Sequence, residues 1–143
     1  MSHNLLFMRY VKGESAPYDL EKLRAILLKH GAEIDSPQDA GDGVMTSLVM
    51  FPCNDDGDDI SSDESAIFFE SAGVVEFAIG RPQYGERLKA LCFDLLQGLP
   101  ICMHPDFGEE VHAVQMSAEH LPEELLETCD GGVKFIKGPN ELW

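Results

Sequence analysis

The chain has 143 residues, 44% of them hydrophobic, and a formal net charge of −16 at pH 7 from 26 acidic and 10 basic side chains. That length suits one domain over residues 1–143, and its ordinary apolar content argues against disorder. The charge has the wrong sign for a phosphate backbone or an anionic lipid surface, which excludes nucleic acid and membrane as natural partners. No apolar run approaches the roughly 20 residues needed to span a bilayer.

In chain order, His3 to Val11 (HNLLFMRYV) is rich in Leu, Phe, Tyr and Val and reads as a first strand. The apolar run Leu5 to Met8 is broken by Arg9 and has no small-residue cleavage site, so it is not a signal peptide. Lys12-Gly13-Glu14-Ser15 reads as a loop. Leu20, Leu23, Ile26 and Leu27 then recur at helical spacing, started by Pro17 or capped by Asp19 and ended at Gly31. Ala32 to Gly43, with Pro37, Gly41 and Gly43, reads as a connection. Val44 to Phe51 is a second strand ending at Pro52.

Cys53 to Ser65 is a polar, acidic loop. Ala66 to Ile79 is either one bent strand or a hairpin turning at Ser71-Ala72-Gly73. The hairpin is preferred, because a single strand of that length would be unusually long. After the turn Gly80 to Gly85, the residues Leu88, Leu91, Cys92, Leu95 and Leu96 define the buried face of a second helix, closed by Gly98 and Pro100. Ile101 to His104 and Val111 to Met116 are short strands. Pro122 to Thr128 is a third helix, broken by Gly131-Gly132, and Val133 to Ile136 a last strand.

This order predicts a two-layer α+β sandwich: a largely antiparallel sheet with two main helices on one face and a C-terminal helix and strand added. A ferredoxin-like βαββαβ unit is one candidate topology. The four cysteines (Cys53, Cys92, Cys102, Cys129) are scattered, and free thiols in a reducing cytoplasm account for them most simply.

Charge is distributed unevenly. Between Lys29 and Arg81 there is no Lys or Arg but twelve acids, and between Lys89 and Lys134 again none but nine acids. The densest run comprises Asp55, Asp56, Asp58 and Asp59, followed by Asp63 and Glu64. Its spacing fails the EF-hand pattern, which needs glycine at position six and glutamate at twelve. Solvated loop and solubility charge are its plain readings; the functional one is the rim of a surface for a basic protein.

The five histidines (His3, His30, His104, His112, His120) show no paired ligand spacing, although Cys102 and His104 would share one strand face. No cofactor motif is present. The Arg81-Pro82-Gln83-Tyr84-Gly85 turn precedes a helix start that could hold an anion, but an arginine at such a place is common.

Two readings of function follow. The first is a small acidic, non-enzymatic protein-binding module directed at a basic partner. In size and charge, though in no motif, it is similar to bacterial immunity proteins that occupy a toxin's surface. The second is a small enzyme or ligand-binding domain with a pocket between sheet and helices, using Arg81, Tyr84, His104 and Asp106. No nucleophile signature accompanies these residues, so the sequence leans towards the binder. A homodimer paired through exposed sheet edges is a third, plainer option.

Overall fold

In the first strand, Leu5 and Phe7 are buried while Leu6 and Met8 are half-buried. That two-residue period gives the sheet two unequal faces. The computed structural model describes residues 4–52, 60–61, 64–83, 85–105, 111–113, 133–135 and 138. Its elements are β1 (Asn4–Val11), β2 (Glu14–Ala16), α1 (Leu20–Lys29), β3 (Glu33–Ile34), β4 (Gln38–Gly41), β5 (Val44–Met50) and β6 (Ser65–Glu70). They continue with β7 (Gly73–Gly80), α2 (Glu86–Gly98), β8 (Cys102–Pro105), β9 (Val111–Ala113) and β10 (Val133–Phe135).

These strands form one sheet in the order β10-β9-β8-β1-β7-β6-β5-β3, with β2 paired to β1 and β4 to β5. Every pair is antiparallel except β9 with β10, which is parallel. The chain is therefore α+β, with a large antiparallel sheet and two helices among the described residues. Val111–Ala113 and Val133–Phe135 fall within strands expected from sequence; the helix expected at residues 122–128 lies outside the described residues.

The sheet is larger than a plain ferredoxin-like unit. Strands β8, β1, β7 and β6 lie side by side in the order such a unit has, with β6 two antiparallel steps from β1 and so parallel to it, but β3, β4 and β5 intervene between α1 and β6. The β5-β6-β7 meander places one strand more between the helices than βαββαβ allows, and β3 and β4 lengthen the connection further. The second half does form a split β-α-β unit. Strands β7 and β8 each run antiparallel to β1, hence parallel to one another, and α2 connects them across it.

Residues directly opposite one another share a face. On the helix-covered face lie Leu5, Phe7, Val49, Ile67, Phe77, Ile79 and Met103, all buried. They meet Leu23 and Leu27 of α1 and the five buried residues of α2 that the spacing predicted. At the centre Phe7 and Phe77 stack with ring centroids 5.4 Å apart. The helices cross where Gly98 lacks a side chain: a Cβ there would lie 3.0 Å from Ile26 Cδ1. Gly98 thus serves packing as well as helix termination.

Local chemistry explains the element ends. Asp19 caps α1, its Oδ1 accepting the Lys22 N–H at 3.1 Å. Gly31 follows with φ 86, the left-handed stop expected. The 66–79 segment is a hairpin turning at Ser71-Ala72, as preferred. Gly73 closes that turn so near Tyr18 that a Cβ would stand 2.5 Å from the Tyr18 carbonyl oxygen. Tyr18 and Val74 exchange both backbone hydrogen bonds, and the Tyr18 hydroxyl donates to the Phe7 carbonyl at 2.6 Å.

Two stretches read as loops are hairpins instead. Lys12 and Gly13 take φ 51 and 84, and Asp42 and Gly43 take φ 54 and 81. These are two-residue turns with both central φ angles positive, whose twist suits paired strands. They fold β2 back on β1 and β4 back on β5. Neither β2 nor β4 carries the apolar alternation by which strands are read.

Candidate functional site

The base-free stretch of sequence becomes a surface because β3 to β7 are spatial neighbours. No Lys or Arg occurs from residue 30 to residue 80, and that interval contains all five of these strands. Glu33, Asp35, Asp39, Asp42, Glu64 and Glu70 are exposed there and Glu76 is half-buried. This half of the sheet has no Lys or Arg on its own strands, and its acidic residues fall on both faces: Asp39 is opposite Met45, on the helix side, and Glu76 is opposite Phe68, on the other. Lys22, Arg24, Lys29, Arg87 and Lys89 are carried by the two helices. Like charges concentrated in this way produce a coherent field at the surface.

Of the acidic loop, Asp55, Asp56, Asp58, Asp59 and Asp63 lie outside the described residues, and Glu64 is exposed immediately before β6. The loop's described residues are anchored. Ile60 is 1% exposed and joins the core, and Ser61 bridges Pro82. The Ser61 hydroxyl donates to the Gly80 carbonyl and the Gln83 N–H to the Ile60 carbonyl at 3.1 Å. The acidic loop and the Arg81 turn, distinct in sequence, therefore meet at one end of β7. Arg81 itself is exposed, with φ 44, a backbone region that non-glycine residues seldom occupy.

Tyr84 and Asp106 also lie outside the described residues. His104 is opposite Leu6 on the sheet face away from the helices and is 8% exposed; Cys102, opposite Met8, shares that face and is fully buried. The Cys-x-His spacing therefore does place both residues on one face. His104 is on β8 and Arg81 follows the end of β7, the two strands that flank β1, with Arg81 three residues beyond Ala78, the residue level with His104. By strand spacing their backbones are about 10 Å apart across the sheet and about 10 Å along it. Among the described residues, no group of three or more His, Cys, Asp or Glu side chains is arranged to hold a metal ion.

Two features escaped the sequence reading. One is an open groove of about 460 Å³ where Arg9, Tyr18 and Asp19 face Glu70 and Gly73. Arg9 donates there to the Pro17 carbonyl at 3.0 Å, and burial pushes the Tyr18 phenol well above its usual range. The other is a cluster across the helices: Asp94 accepts from His30 Nε2 at 2.7 Å and from Lys29 Nζ at 3.2 Å. Burial acts to raise the Asp94 carboxyl, but the bonds from His30 and Lys29 outweigh it and hold the group below its usual range. Asp94 is 64 residues from His30 and 65 from Lys29 in sequence, so no local spacing could have revealed them. Cys92, on the buried face of α2, is a free thiol whose deprotonation burial strongly disfavours.

No protein-family model matches this chain, and neither a curated protein nor a solved structure does.

Proposed function

We propose that this chain is a non-enzymatic binding module whose acid-bearing half-sheet engages a basic surface on another protein, as an immunity-type inhibitor would cover a basic toxin. The observation that carries this reading is that β3 to β7, which hold no Lys or Arg, are neighbours in the sheet, so that their acidic residues lie in one half of it. Charge spread only for solubility has no need of such segregation.

The mechanism has two stages. The field of the half-sheet, with the carboxylates of residues 55–64 added, draws in a cationic surface and accelerates encounter. Apolar side chains then supply most of the stability of the complex. The sheet face opposite the helices offers Leu6, Met8, Leu48 and Phe68, all half-buried, beside Met50 at 40% exposure.

The test is capture of partners from host lysate at low salt, identification of any basic protein retained, and stopped-flow association with it across salt concentrations. Replacing Asp55, Asp56, Asp58 and Asp59 by Ser is expected to slow association by about tenfold and flatten its salt dependence. Retention of no basic protein at low salt overturns the reading. So does a partner whose association rate is indifferent to salt in the unaltered protein.

A further inference from the structure

The two flanks of β5 differ in what lies beyond them. On one side β6 continues into the sheet; on the other, β3 and then β4 follow β5 nearly end to end, from Glu33 opposite Met50 to Gly41 opposite Val44. Between them the Asp35 N–H still reaches the Leu48 carbonyl at 2.9 Å; Gln38 then pairs with Thr46 and Asp39 with Met45, and the register shifts between Asp39 and Gly41. Among the described residues no strand pairs with the outer side of β3 or β4.

All four residues of β4 are exposed. Successive side chains of a strand point to opposite faces, so exposure of every one means that neither face is covered there. An edge strand leaves ladder N–H and C=O groups on its outer side without a strand partner; here the Gly41 N–H is taken by Asp39 Oδ1 at 2.8 Å, which leaves the edge at Gln38 to Ala40. The Asp42-Gly43 turn, with both φ angles positive, holds β4 against β5 before any partner arrives.

We infer that this edge, Gln38 to Ala40, receives an extended lysine- or arginine-bearing segment of the partner as an additional strand. The inference rests on the binding reading above and names its surface. Main-chain bonds to the open edge would provide affinity, and cationic side chains at alternate positions would provide selectivity. Glu33, Asp35, Asp39 and Asp42 flank the edge with no base in the same stretch. They repel a second copy of this chain, also charged −16, and attract a basic strand. Pro37 restricts pairing to the strand beyond it.

The experiment is a titration of ¹⁵N-labelled protein at low salt with acetyl-Lys-Val-Lys-Val-Lys-Val-amide. A second titration uses the same peptide methylated at every backbone nitrogen, which keeps the charges and blocks strand pairing. The expected result is shifted resonances and slowed amide exchange at Gln38, Asp39 and Ala40 with the first peptide, and binding about tenfold weaker with the second. Asp39→Asn combined with Asp42→Asn, which keeps the turn chemistry, should weaken the first peptide by a few-fold and lower its salt sensitivity.

Equal binding of both peptides shows attraction by charge alone; it overturns the edge and leaves the acidic-surface reading standing. Shifts confined to other strands also overturn the edge, as does protection of Gln38 to Ala40 by self-association without any peptide. If neither peptide binds while a basic partner is still captured from lysate, the edge alone fails. If nothing basic binds at all, both fail.

Discussion

Strand β5 is flanked by two neighbours made of opposite materials. On one side is β6, whose Ile67 is fully buried and whose Phe68 and Phe69 are half-buried. Beyond it in the sheet lies Phe77 in the central stack. On the other side, β4 buries nothing. The first neighbour is held by apolar area removed from water. The second is held by ladder hydrogen bonds and by a turn whose backbone geometry suits a hairpin. A single sheet thus contains a flank that buries apolar side chains and a flank that buries none.

Substitutions can sharpen or break this contrast. The largest effect is expected at the buried flank: Phe77→Ala should cost about 3–5 kcal/mol in urea unfolding, through lost burial and the cavity left beside Phe7. A cost below about 1 kcal/mol would show that the Phe7–Phe77 stack is not the centre of the core.

The helix layer should be intermediate. Asp94→Asn removes two charge-assisted contacts at a partly exposed site and should cost about 1 kcal/mol at pH 7. The folded state favours the ionised Asp94 carboxylate, so its contribution is full above the ordinary Asp value of 3.8 and is lost as pH falls below that value. Melts at pH 7 and near pH 3 should therefore show the gap between wild type and Asp94→Asn closing in acid. A gap that persists would assign the effect to packing rather than to charge.

The smallest effect belongs to the open flank. Asp39→Asn with Asp42→Asn should change stability by less than about 0.5 kcal/mol, because both side chains are exposed and Asn tolerates the left-handed turn position. A larger loss would mean that β4 supports the fold and is not a free edge.

What was legible in the sequence follows the same division. The buried face of α2, the cap at Asp19 and the turn at Ser71-Ala72 all have local signatures: a helical period, a side chain reaching its own helix start, and an apolar run interrupted by small residues. The β4 hairpin has one too, in Asp42-Gly43, but the preceding Gln-Asp-Ala-Gly offers no alternation and was read as connection. The Asp94 cluster had no local signal, since it depends on where two helices cross. The acidic surface was half legible. Its charge could be counted, while its placement needed the strand order.

The sequence by itself determined the class of the fold, the two helices, the identity of the core leucines and the excess of carboxylates. Each depends on periodicity or composition within a window of a few residues, and a short window records that directly. Only the tertiary structure decided that β1 lies between β7 and β8, that Ile60 and Ser61 tie the acidic loop to the Arg81 turn, and that β3 to β7 share one half of a sheet. Those facts arise from pairings between distant segments. They are chosen by the burial of every apolar face together, so no single stretch of the chain can specify them alone.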